Sequence, residues 1–359
     1  MRRLFWLPLV LAAALWTHAP ATAKEKITVG IPIGLNFSFA DIGFGMELGF
    51  FDEEGLEIEI VSLQGSGTLV PQVARKNVTV GLGNPDLVIT ALGKGDPYPI
   101  TFVYNRLRRT VYELAVKADS SIQTVADLKG KRLGIGALSW GNIPMMRAVL
   151  KEAGIEWGKD IAVMPIGMGP AAWRVFQDGK VDAMAYFTSE HLKIAAAGTP
   201  VRILAIPEKY QTMFSMGVMF HNDTLEKNPR LVEGFGRALA KASVACKAAP
   251  RACLKGYWRL DPTARPPAGR EEAWVDANLR EAMADRGSIE YFAGAADVQW
   301  GRFLPSSWSQ HVEIMHAAGL LPGNDLPLDR IYTNRFVPAF NRFDTRAVEA
   351  KALAAQGRP

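Results

Sequence analysis

The side chains able to do chemistry are few and poorly clustered. Downstream of residue 23 the histidines are His191, His221, His311 and His316. None has His-x-x-x-His or Cys-x-x-Cys spacing, so no zinc site is indicated. His311 and His316 fall on a predicted helix but do not share one face. All four read as surface or capping residues. Gly134-Ile135-Gly136 follows the start of a predicted strand, yet the third glycine of a dinucleotide fingerprint is missing. Gly81-Leu82-Gly83 fails in the same way, and no Gly-Lys-Ser/Thr follows a glycine-rich loop. In Gly65-Ser66-Gly67 the serine comes too early for a nucleophile elbow. Aspartates and glutamates are scattered, with no pair assignable as general acid and base. No metal, no cofactor and no enzymatic activity is expected.

Cys246 and Cys253 are the remaining reactive candidates, with Pro250 between them. Pro250 ends a predicted helix and lets the chain turn back. In an oxidising compartment the pair fits a local disulfide, a staple rather than redox chemistry. Such a compartment is indicated by the first residues. Arg2 and Arg3 precede an apolar run from Leu4 to Trp16, and Ala21-Thr22-Ala23 is a small-x-small site. This is the pattern of a secretory signal peptide over residues 1–23, cleaved after Ala23. The apolar run is short for a membrane span, and no later stretch is longer. The mature chain is expected in the periplasm.

The elements that must position any site alternate in type. The 359 residues are 48% hydrophobic and 21% charged, which is globular composition, and the length suggests two domains at roughly 150 residues each. Lys and Arg number 41 against 36 Asp and Glu, with no dense basic block, so nucleic-acid binding is not expected. Strands are predicted at 27–33, 56–63, 78–82 and 99–104, with helices over 42–51, 68–75 and 85–92 between them. A second set begins near Tyr112. It has strands at 113–117, 131–137, 161–165, 181–187 and 201–206, and helices at 124–128, 141–153, 170–178 and 189–197. Ser139 is a candidate cap of the second of these helices. Such alternation implies parallel sheets with right-handed crossovers. After a strand at 217–220 the chain turns helical, over 229–246, 270–284 and 306–317. The Ala-rich tail, 348–359, is expected to fray.

Three segments carry a resemblance. They are Ala40 to Glu59, with its Leu-Gly-Phe-Phe … Glu-Gly-Leu string; Ile122 to Ile135, with Asp-Leu-Lys-Gly-Lys; and Phe176 to Ala183. Together they resemble the solute-binding proteins of ABC importers in the nitrate/sulfonate/taurine and thiamine-precursor group. The resemblance implies a type II periplasmic binding fold. Two doubly wound α/β lobes would be joined by a two-strand hinge, with the ligand cleft between them. Lobe 1 would comprise 24–110 and a return over 217–347 with the C-terminal helices, and lobe 2 would comprise 111–216. The implied function is capture of a small organic anion, of sulfonate or carboxylate type, by hinge closure. Delivery would be to the permease and ATPase subunits of an ABC importer in the inner membrane, by a monomer. The alternatives are an enzyme on the same scaffold, of pyrimidine-synthase or desulfinase type, and a ligand-sensing subunit of a membrane receptor. The chain lacks the clustered or cleft cysteines of the enzymatic branches.

In open α/β sheets ligands sit beyond the carboxyl ends of strands. In lobe 1 those ends offer Asn36, Phe37, Ser38, Gly65, Ser66 and Asn84 as ligand contacts. In lobe 2 they offer Ser139, Trp140, Gly141, Tyr186 and Thr188. Small residues permit close backbone approach and the aromatics supply flat walls. Of Tyr186 and its neighbour Phe187, one should face the cleft. Arg106, Arg108 and Arg109 lie near the expected hinge and read as solvated, with pairing to an anionic ligand as the alternative.

Overall fold

The structure, a computed structural model, describes residues 23–290 and 299–356. The expected signal peptide therefore lies outside the described residues, apart from Ala23. Ten strands are present among them: β1 (Glu25–Ile31), β2 (Leu56–Ser62), β3 (Val80–Gly83), β4 (Ile100–Leu107), β5 (Tyr112–Lys117), β6 (Arg132–Ile135), β7 (Ala162–Pro165), β8 (Ala183–Phe187), β9 (Val201–Ile203) and β10 (Met216–His221). They form two five-stranded sheets, in the orders β2-β1-β3-β10-β4 and β7-β6-β8-β5-β9.

The sheets are mixed, where the alternating pattern implied parallel pairing throughout. β1 runs parallel to β2 and β3, and β6 parallel to β7 and β8. β10 runs antiparallel to both β3 and β4, and β5 antiparallel to both β8 and β9. The reason is the chain path. It leaves the first sheet through β4, enters the second through β5, and returns to the first through β10. A strand entering from the other lobe has no crossover helix to reset its direction.

Burial follows the sheets. β4 is buried at every position, and Val29 and Ile31 of β1 are fully enclosed. One apolar cluster joins these strands to the Ala40–Glu47 and Pro229–Ala248 helices. A separate one fills the second sheet around Leu133, Met146 and Leu150. Cys246 and Cys253 are disulfide-bonded, with Cα atoms 4.9 Å apart, tying the Pro229–Ala248 helix to the Pro250–Leu260 helix. The helix expected over 42–51 is two: Ala40–Glu47 ends, Gly49 adopts φ +75°, and Phe50–Glu53 begins. A left-handed turn there suits only a residue without a side chain.

The tail is the clearest departure. Thr345–Ala355 is a helix, not a frayed end. Asp344 caps it by accepting from the Arg346 and Ala347 N–H groups. Val348, Ala352 and Ala355 share one face and are buried. Lys351 reaches Glu53 at 2.8 Å. Ala-rich composition was a poor guide because the spacing of those apolar residues supplies a packing face. Truncation after Phe343 is expected to lower stability by about 2 kcal/mol through lost burial. A chemical-denaturation midpoint unchanged by the deletion would show that the helix does not contribute.

Candidate functional site

The carboxyl ends of β1, β2 and β3 face those of β6 and β8 across a cleft at the hinge. From the first lobe Pro32 and Ile33, Ser38 and Phe39, Gly65 and Asn84 line it. Trp140, Gly141 and Phe187 line it from the second. The hinge segments add Arg106 and Leu107, Val111 and Tyr112, and Met216. Asp285, just past the Glu271–Ala284 helix, completes the lining. Both lobes meet around this cavity.

Direct contacts span the cleft. The Ser139 hydroxyl donates to the Gln64 carbonyl at 2.6 Å, and the Gly67 N–H donates to the Ser139 carbonyl at 3.2 Å. The Tyr112 hydroxyl donates to Asn84 Oδ1 at 3.2 Å. Two glycines make this approach possible. A Cβ on Gly65 would lie 2.3 Å from the Ser139 carbonyl oxygen, and one on Gly141 2.1 Å from Asn84 Cγ.

Five of the residues expected at the ligand line the cavity: Ser38, Gly65, Asn84, Trp140 and Gly141. The other six do not. Asn36 is a turn residue, its Oδ1 accepting from the Ser38 N–H at 2.9 Å and its amide donating to the Gly34 carbonyl. Phe37 points away into an aromatic cluster, 5.0 Å from Tyr257 and 5.6 Å from Trp274. Ser66 stands behind Asn84, accepting from its N–H at 3.0 Å and donating to its Oδ1 at 3.2 Å. Ser139 sits on the rim and does not cap a helix. The helix begins at Ile143, and Asn142 before it donates to the Ala185 carbonyl instead. Thr188 donates to Glu113 and Val111, outside the cavity.

For Tyr186 and Phe187 the strand's alternation decides. Phe187 faces the cleft, and Tyr186 points the other way, donating to the Gly167 carbonyl. Tyr186 still serves the site, because its ring meets Trp140 edge-on at 5.1 Å. The Trp140 indole lies flat over Gly136, where a Cβ would sit 1.8 Å from a ring carbon. Trp140 and Phe187 therefore form a preorganised aromatic wall.

The electrostatics are the part least visible in the sequence. Arg106 is not solvated: it lines the cavity with its charge already paired. Its side chain is 2% exposed and forks onto Asp41, itself 1% exposed, with both N–H···O distances 2.9 Å. It also donates to the Ser38 carbonyl at 2.8 Å. Burial pushes the Asp41 carboxyl up, but the Arg106 and Arg286 charges and its hydrogen bonds outweigh this and hold it below its ordinary value. Arg286 approaches Asp41 at 3.3 Å and pairs with Glu290 at 2.8 Å. Asp285 behaves oppositely. Its burial holds the carboxyl above the usual range, despite hydrogen bonds from Ser38 and Ser189. Burial likewise raises the Tyr112 phenol. The sequence singled out neither Asp41 nor Asp285. Asp41 opens a helix and Asp285 follows one, and acids at such places are ordinary. A pairing between residues 41 and 106 has no local signature.

Comparison with known proteins follows from this geometry. The family model described as NMT1/THI5 like matches residues 36–253. The chain belongs to this family. A formylaminopyrimidine-binding protein of Halalkalibacterium halodurans is 25% identical over 250 residues, covering 68% of this chain and 69% of that protein. A Haemophilus influenzae protein named for thiamine biosynthesis is 22% identical over 260 residues, covering 72% of this chain and 80% of its own. The alkanesulfonate-binding protein SsuA of Xanthomonas axonopodis, solved with MOPS, has the same fold. Its TM-score is 0.63 at 18% identity, over 87% of this chain and all of that one. Two α/β lobes around a hinge cleft are the type II periplasmic binding fold. Family membership gives the scaffold, and ligand choice rests on the lining residues.

Proposed function

We propose that this protein is an exported solute-binding protein. It captures a small organic molecule between its lobes and delivers it, as a monomer, to an ABC importer of the inner membrane. The observation that carries this reading is the hinge cavity itself, walled by both lobes and bridged by contacts that exist only when the lobes meet. Such a site binds by closing, and the closed form is what a permease can distinguish from the open one. The relatives named above, two of them binding proteins, point the same way.

The lining bears on the type of solute. Trp140 and Phe187, their rings 6.1 Å apart and tilted by 42°, offer apolar aromatic faces to a planar molecule. The small sulfonate or carboxylate anion expected at the outset would meet an Arg106 whose guanidinium is already paired with Asp41. One relative is named for binding a formylaminopyrimidine, a planar ring, and a solute of that shape is the better match. The role is binding and not catalysis. Both cysteines are bonded to each other, which removes the thiol that a desulfinase-type reaction would use.

The test is thermal melting of residues 24–359 against planar heterocycles, aromatic carboxylates, sulfonates and nitrate, with small-angle scattering of each mixture. A ligand at a hundred times its dissociation constant adds about 2.7 kcal/mol of stability. The expected result is a raised midpoint for one class, a smaller radius of gyration on binding, and ligand recovered unchanged. Recovery of a chemically altered ligand would replace transport with catalysis.

A further inference from the structure

Asp285 is 3% exposed and lines the cavity, yet only one of its oxygens is used. Its Oδ2 accepts from the Ser38 hydroxyl of the first lobe and, at 2.9 Å, from the Ser189 hydroxyl of the second. Its Oδ1 is buried and has no hydrogen-bond partner among the described residues. An unsatisfied buried carboxylate oxygen is costly, and one facing a ligand cavity is satisfied when a donor arrives.

Among the described residues no cation forms an ion pair with it. The Arg106 and Arg286 guanidiniums are matched by Asp41 and Glu290. On the flank Lys193 lies 3.2 Å from Glu281 and 3.8 Å from Glu190, two carboxylates for one ammonium. Glu113 adds a further acid, paired with His191 at 2.9 Å. Asp285 is left as a buried carboxyl with no ion pair among the described residues, beside an apolar wall. That arrangement repels an oxyanion and attracts a cation with N–H donors.

Resting on the capture reading above, we propose that the solute is a planar organic cation of amine or amidine type whose N–H group docks on Asp285. The same carboxylate holds Ser38 and Ser189, so ligand recognition and lobe closure share one residue. A bound cation would complete a unit of ligand, first lobe and second lobe, and each hydrogen bond in it would depend on the others. Burial already holds the Asp285 carboxyl above its ordinary range, a desolvation that an incoming cation offsets.

The experiment uses four probes on one ring: benzamidine, benzamide, benzoate and benzenesulfonate. Affinity is read by calorimetry and closure by small-angle scattering, on the mature protein and on D285N and S189A. Benzamidine is expected to bind tightest and to close the lobes, benzamide more weakly, and the two anions not at all. D285N should lose about ten- to a hundredfold in benzamidine affinity and abolish the preference over benzamide. S189A, which leaves the cavity charge intact, should weaken benzamidine and benzamide by the same factor. Closure driven by benzoate or benzenesulfonate would overturn the charge assignment and leave capture standing. If no probe binds or closes the lobes, both readings fall for ring-sized solutes. Should D285N not fold, the order of the four probes on the unmodified protein decides.

Discussion

Replacing Gly141 with alanine is expected to lower ligand affinity by at least about a hundredfold while leaving the fold intact. The added Cβ would lie 2.1 Å from Asn84 Cγ and 2.2 Å from its Oδ1, far inside contact distance. Asn84 cannot step aside cheaply. Its N–H and Oδ1 are held by Ser66, and Tyr112 donates to the same Oδ1. The clash exists only when the lobes meet, because Gly141 belongs to the second lobe and Asn84 to the first. The substitution thus acts on the closed state alone. A closed state disfavoured by about 3 kcal/mol reduces apparent affinity by roughly a hundredfold. The check is a pair of measurements, scattering with saturating ligand and unfolding without it. A variant that closes normally would refute the account, and one that unfolds early would place the clash within a lobe instead. Gly65 is a poorer choice for this test. Its φ of +89° would add backbone strain to the clash.

Arg106→Leu should be the most destabilising single change near the site, costing about 3–5 kcal/mol. It strands Asp41 in a buried position with the Ile42 N–H at 2.9 Å and the longer Arg286 contact. Asp41→Leu strands Arg106 in the same way. The double variant should recover much of the loss, since a well-packed apolar pair of similar volume can equal a buried ion pair. Denaturant unfolding of the three variants gives the coupling energy directly. A coupling energy near zero would mean that the pair is not a unit. Acid sensitivity follows from the same pair. The folded-state Asp41 carboxyl lies below its ordinary value of 3.8. Its stabilising contribution is therefore fully present above about pH 4 and fades as pH falls through the lower folded value. In the double variant that part of the acid transition should disappear. Carboxylates raised by burial, Asp285 and Glu281, act in the opposite sense and favour the folded form as pH falls.

Much of this protein is written locally. The β-branched run at 27–31, the apolar run at 183–187, the Pro-initiated helix at 229 and the glycine-stopped helices are set by neighbours in sequence. So is the family, through strings such as 48–56 and 127–131, whose order and spacing survive any rearrangement in space. The strand ends were also legible, and five residues expected there, Ser38, Gly65, Asn84, Trp140 and Gly141, line the cavity. Local pattern could not choose between side chains at one strand end. Tyr186 and Phe187 differ only in which face the pleat gives them.

What the tertiary structure alone decided was charge. Arg106 is a hinge arginine in the sequence, and only the fold pairs its charge with Asp41, 65 residues earlier. Asp285 is a residue at a helix end until the fold carries it between Ser38 and Ser189. A side chain's type fixes the sign of its charge, but desolvation and partner distance fix what that charge can do, and both depend on residues far away along the chain. The scaffold could therefore be read from the sequence, while the sign of the ligand's charge could be argued only from the folded cavity.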